Sequence, residues 1–213
     1  MMTRTLTVFA MAAVALAALS GCGGPKDDKL RAQLDPVVVK ITDRAKAAAA
    51  LDIAAPAATI ERATALLTDM AGLGADLKSF YVEGEKQQAL VAAGQAYLAA
   101  TQRFITGQQE FARSYARLEA ARTKVRESLD AKVRTSAFSM DFWKESHDRL
   151  VRDLDNVRKE NEKARDLAGA ANTVLQQGAD AAGAILGREK LIPAATLEAH
   201  RKALQAVPLA KGA

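Results

Sequence analysis

Cysteine is all but missing from this chain: Cys22 is the single thiol among 213 residues, and histidine, proline and aromatic side chains are nearly as sparse. One thiol excludes an internal disulfide, so the fold has to hold by packing alone even in an oxidising compartment. His147 and His200 are the only histidines. They show no HxxxH or HExxH spacing and have no second cysteine to join them, so no metal site is expected. Neither a phosphate-cradling GxxxxGK[ST] loop nor a nucleophile motif occurs, and no catalytic residue or cofactor is assigned. A one-sided basic face is missing too: the net charge of +5 arises from 30 basic and 25 acidic residues that are interspersed along the chain, which argues against a nucleic-acid partner.

Alanine dominates the apolar fraction and charges of both signs are plentiful, a composition that favours long helices and an all-α fold. The strongest signal lies between Glu85 and Arg134. There Leu90, Tyr97, Phe104, Phe111, Leu118 and Val125 recur at a spacing of seven, each followed three residues later by Ala93, Ala100, Gly107, Ser114, Ala121 or Ser128. The phase runs through Thr106-Gly107 without a slip, so one long helix is expected rather than two. A second heptad series begins after a connection at residues 135 to 139 and carries Trp143, His147, Leu150, Leu154, Val157, Asn161, Ala164, Ala168, Ala171, Leu175, Gly178, Ala182 and Ile185 towards a cap at Gly187.

These two helices should fold back on one another. A turn near residue 137 matches positions whose numbers add to about 275, which sets Tyr97 opposite Gly178, Phe104 opposite Ala171 and Phe111 opposite Ala164. Large against small is what close helix packing requires. His147 then falls near Glu127 and Ser128, and Asn161 falls opposite Ser114, where a polar seam residue fixes register.

The remaining segments read as shorter helices. Asp35-Pro36 carries a helix-start signal, and a first helix is expected from there to Leu51 with Val38, Ile41, Ala45 and Ala48 on its apolar side. A second runs from Ala57 to Val82 on a stripe of Ile60, Ala63, Leu67, Met70, Gly74, Leu77 and Tyr81, with Gly84 as its cap. Gly72-Leu73-Gly74 lies inside that stripe with no strand before it, which reads as a kink or a close helix contact rather than a phosphate loop. A last helix starts at Pro193 and ends before Pro208, with His200 on its stripe of Leu197, Leu204 and Val207. Laid end to end, the first two helices match one hairpin arm, so a third, broken layer is expected. The whole is an elongated antiparallel hairpin or coiled coil, with added shorter helices making a three-helix-type bundle over residues 35–213.

At the hairpin turn Phe138, Met140, Phe142 and Trp143 gather within eight residues, SAFSMDFW. They suit a plug for the open end of the bundle first, and also an apolar tip that meets a partner. Downstream, Glu145/Arg149, Asp148/Arg152 and Asp155/Lys159 are i, i+4 pairs with the acid first, which solvate the outer half of the hairpin.

The start of the chain has a different character. MMTR precedes the apolar run TLTVFAMAAVALAA, too short for a comfortable span of about 20 residues but suited to a signal-peptide core. The run ends at Leu19, Ser20, Gly21 and Cys22, which resembles the lipobox of the bacterial lipoprotein family. That resemblance covers residues 1 to 22. It implies cleavage of residues 1–21, attachment of diacylglycerol to Cys22, acylation of the new amine with a fatty acid such as palmitate, and a membrane anchor. Gly23 in place of Asp points, under the enteric sorting rule, to the periplasmic side of an outer membrane in a diderm host. An ordinary secretory signal followed by a free cysteine, or an uncleaved anchor, is the other reading. Residues 22–34 are expected to form the lipidated cysteine and a polar tether of roughly 30 to 40 Å, helical in its later part.

Taken together, these features suggest a lipid-anchored, non-enzymatic envelope protein that presents its hairpin in the periplasm to an envelope protein partner, with homo-oligomers possible through its seams. The alternative is a periplasmic bundle that encloses a small apolar ligand or lipid near Tyr97, Phe104 and Phe111.

Overall fold

The computed structural model describes residues 25–134 and 139–207. The lipobox residues, Cys22 and Phe138 lie outside the described residues. Among the described residues, five helices occur and no strand: α1 Pro25–Ala49, α2 Pro56–Ser79, α3 Glu85–Lys132, α4 Met140–Leu186 and α5 Ala194–Ala206. No proline occurs between Pro56 and Pro193, so nothing interrupts the backbone ladder of the two long helices. At about 1.5 Å per residue, the 48 residues of α3 span about 72 Å.

The antiparallel hairpin of α3 and α4 forms in the expected register. Asn161 Nδ2 donates to Ser114 Oγ at 3.2 Å, His147 Nδ1 lies 3.2 Å from Ser128 Oγ, and Arg117 meets Glu160 at 3.2 Å. Tyr97, Phe104 and Phe111 are fully buried. Gly178 shows why the facing positions must be small: a Cβ placed there would stand 2.9 Å from the Ala100 Cβ, closer than two methyl groups approach. At Gly107 a Cβ would meet the Ala168 Cα at 3.4 Å. The far end of α4 stops in a Schellman turn. Gly187 takes the left-handed φ of 68°, Arg188 N–H donates to Gly183 O at 2.8 Å, and Gly187 N–H donates to Ala184 O at 3.4 Å.

Three expectations need correction. The first helix starts at Pro25 rather than at Asp35-Pro36, so most of the expected tether belongs to the body. Leu30 and Leu34 are buried ahead of Pro36, and Val37 and Val38 beyond it. An interior proline costs about 3 kcal/mol, partly through the carbonyl four residues back that it leaves unbonded. Here that carbonyl belongs to Ala32, an exposed residue, so it is left facing solvent rather than buried. Gly84 does not close α2, which ends at Ser79; it is the N-cap of α3, whose Gln87 side chain accepts from Glu83 N–H at 2.9 Å.

The third correction concerns layout. α1 and α2 do not lie end to end along the hairpin but side by side, joined by Arg44 and Asp69 at 3.0 Å. α1 runs parallel to α3, since Asp27 reaches Gln87 and Thr42 reaches Tyr97. α2 runs antiparallel to it, with Leu77 against Gly94, Leu98 against Gly74 and Thr64 bonded to Gln109. Their connection is held by Asp52, whose carbonyl accepts from Thr59 Oγ1 at 2.7 Å, and it buries Ile53 beside Phe111, Tyr115 and Leu118. α5 packs on α4 and α1. One half of the hairpin is therefore thickened into a five-helix body. Beyond Leu118 and Asn161 no other helix among the described residues joins the two long ones, and Ala121, Val125 and Leu154 are the buried side chains there.

Replacing Gly178 by leucine is expected to destabilise the chain by about 1–3 kcal/mol or more, because the arms must separate to admit it. Gly169→Leu serves as the comparison, since a Cβ there meets nothing within 4 Å. Urea denaturation of the two variants checks this.

Candidate functional site

At the tip, α3 ends at Lys132 and α4 begins at Met140, and the two are tied together by Trp143. Its indole N–H donates to Ser128 O at 2.8 Å, its ring stacks on His147 at 4.9 Å between centroids, and Lys132 Nζ sits 5.2 Å above it. The Ser128 and Lys132 contacts fasten the first turns of α4 to the last turns of α3, with about 0.5–1 kcal/mol from the cation–π contact. Trp143 and Met140 are half-buried, so the tryptophan acts as a clasp for the hairpin end.

Phe142, one residue earlier, faces outward and is 78% exposed. It shares that end of the molecule with Val133, 88% exposed, and Leu129, 44% exposed. The sequence reading missed those two, which break no rule of the heptad pattern and simply point away from the seam. Phe142 and Trp143 also line an open groove of about 460 Å³ with Lys124, Glu127, Ser128 and Leu150. The tip therefore divides into a clasp and an exposed apolar edge.

The surface around it is charged. Glu145 and Arg149 meet at 3.2 Å as the spacing predicts, while Asp155 meets Arg158 at 3.7 Å rather than Lys159. Both pairs are solvent-facing and contribute little to stability.

The two histidines are far apart in role. His147 belongs to the clasp. His200, 2% exposed, is clamped inside the body: Nδ1 donates to Asn172 Oδ1 at 3.1 Å, and Phe104 stands edge-on at 5.0 Å. The Asn172 carbonyl oxygen can only accept, so the proton sits on Nδ1. Burial pushes the His200 pKa down to about 4. The phenol of Tyr97, pushed up to about 12 by burial, lies 3.1 Å from Thr42 Oγ1. Thr42 gives its own proton to Val38 O at 2.9 Å, so the tyrosine is the donor. Tyr97, Phe104 and Phe111 are thus surrounded by protein groups: Thr42, His200 and Tyr115.

Gly72-Leu73-Gly74 lies within α2 as a close helix contact, with the Gly74 Cβ position 3.4 Å from Leu98. Among the described residues no group of three or more His, Cys, Asp or Glu gathers to hold a metal ion, and no helix is long and apolar enough to cross a membrane.

The end opposite the tip, the base, is where the described chain begins. Lys26 reaches Glu83 at 2.6 Å and Gln87 reaches Asp27 at 3.4 Å, while Arg188 after α4 pairs with Asp35. Position 25 and the tip thus lie at the two ends of the rod.

No protein-family model matches this chain, and no curated protein or solved structure matches it either.

The buried histidine sets a pH dependence. In the unfolded chain it takes up a proton near pH 6.5, whereas in the folded chain it resists until about pH 4, so its share of stability is present above 6.5 and is lost as pH falls towards 4. Lowering the pH from 7 to 5 should therefore cost wild type about 2 kcal/mol more than it costs His200→Gln, measured by urea denaturation at both pH values.

Proposed function

We propose that this chain is a lipid-anchored, non-enzymatic envelope protein that presents a helical hairpin in the periplasm as a structural or protein-interaction element. The observation that carries the proposal is the arrangement of the two ends: the body begins at Pro25 beside Glu83 and Gln87, and the exposed Phe142 and Val133 sit about 70 Å away along α3. Anchorage at Cys22 is supported by the lipobox of Leu19, Ser20 and Gly21 that precedes it. The non-enzymatic reading draws support from the two histidines, each engaged in packing.

Only Gly23 and Gly24 separate Cys22 from α1, a reach of about 10 Å at full extension. An anchored chain would therefore hold its base against the bilayer instead of hanging from a long tether. Two or three acyl chains, at about 0.8 kcal/mol per buried methylene, make such an anchor stable without a spanning helix. Phe142 and its neighbours then offer an apolar contact remote from the chain's own attachment point.

Mass spectrometry of the membrane-purified protein should find an N-terminal peptide beginning at acylated Cys22, and Cys22→Ala should move the chain to the soluble fraction. An unmodified Cys22, or a Cys22→Ala chain still bound to membrane, would contradict the anchor. For the tip, a photoreactive residue at position 142 in intact cells is expected to capture one envelope component that the same residue at position 61, exposed on α2 midway along the rod, does not. Equal capture at both positions, or none at 142, would count against a tip interaction.

A further inference from the structure

We propose that the open face of the α3–α4 hairpin is the interface of an antiparallel homodimer. α1 and α2 cover one flank of α3, where Gln109 is held by Thr64, but among the described residues no helix covers the other flank. There a groove of about 490 Å³ runs between the two long helices, lined by Arg103, Gly107 and Glu110 on α3 and by Leu167, Ala171 and Val174 on α4. Leu167 is 58% exposed and shares the groove with Ala171 and Val174 of its own helix. Arg103 and Glu110 are also exposed, and neither has an ion pair among the described residues.

A second copy of the chain fits this face because the face is complementary to itself. Arg103 and Glu110 are seven residues apart on α3, with their midpoint between Thr106 and Gly107. Leu167 and Val174 are seven apart on α4, with their midpoint between Ala170 and Ala171. The hairpin register sets these two midpoints side by side, since Gly107 packs against Ala168 and Ala171. One two-fold axis through both therefore places Arg103 of each copy opposite Glu110 of the other, and Leu167 opposite Val174. Gly107, Ala170 and Ala171 at the axis leave room for the close approach.

A parallel second copy would lay Arg103 over Val174 and Glu110 over Leu167, which sets charge on apolar groups and leaves both charges unpaired. The antiparallel copies run alongside each other over about 65 Å, so the contact can extend beyond the groove at its centre. If the chain is anchored through Cys22, and this point alone rests on that proposal, the two anchors stand about 65 Å apart at opposite ends and the dimer lies along the bilayer.

Native mass spectrometry of the detergent-solubilised full chain tests the proposal. Wild type should be dimeric. Leu167→Asp and Arg103→Glu should each weaken the dimer about tenfold or more, and Arg103→Glu combined with Glu110→Arg should restore it, because the pair survives with its sense reversed. Unchanged circular dichroism identifies the loss as dissociation, as expected for exposed side chains. Independently, Thr106→Cys, next to the axis, should form a disulfide-linked dimer. A monomeric wild type, a Leu167→Asp chain as dimeric as wild type, a double charge reversal no better than Arg103→Glu alone, or a Thr106→Cys chain that forms no linked dimer would each overturn it.

Discussion

The distance between α3 and α4 is set where an aromatic ring on one helix meets glycine or alanine on the other. Tyr97 against Gly178 is one such layer, and it leaves no space for even one added methyl group beside Ala100. That closeness fixes which side chains face outward on both arms. It turns Thr101, Ile105, Gln108 and Ala112 into a second buried flank of α3, on which α1 and α2 assemble. The same rotation leaves Arg103, Glu110 and Leu167 in solvent on the opposite flank. Body, tip and open face all follow from one helix-to-helix spacing.

Polar groups inside the body add specificity at some cost in stability. Asn161 gives one hydrogen bond to Ser114 while its Oδ1 is buried without a partner among the described residues, and the same holds for His200 Nε2 and both amide atoms of Gln108. Each such group costs about 1–3 kcal/mol. A heptad slip along this hairpin would separate Asn161 from Ser114 and His147 from Ser128, so the polar pairs penalise the alternatives that the apolar layers alone would tolerate.

The hairpin was legible in the sequence because heptads are a one-dimensional record of one interface. Two series of seven and a turn between them determine who faces whom, and the Asn161–Ser114 and His147–Ser128 pairs follow directly. The layout of α1 and α2 was not legible. Their apolar stripes say that a face is buried, yet not against which partner, and two helices folded together satisfy such stripes as well as two in line. The stripe on α2 was also read slightly off its true position. Thr59, Leu73 and Leu77 are buried with Ala63 and Met70, whereas Ile60, Leu67 and Gly74 are only partly covered and Tyr81 is 80% exposed. Pro36 misled because its local preference for a helix start lost to the burial of Leu30 and Leu34. Of the tip residues, Trp143 and Phe142 are neighbours with opposite fates, a distinction set by the 100° between successive side chains on a helix, and hidden in a list of aromatics.

The register of the hairpin can be read chemically. Ser114→Cys and Asn161→Cys in one chain place two thiols where a 3.2 Å hydrogen bond now joins the arms. Mild oxidation followed by peptide mass spectrometry should recover an intramolecular disulfide between positions 114 and 161, and no such bridge when the second cysteine is moved one heptad to position 154 or 168. A bridge from 114 to 154 or 168, or none to 161, would contradict the packing on which the rest of the account depends.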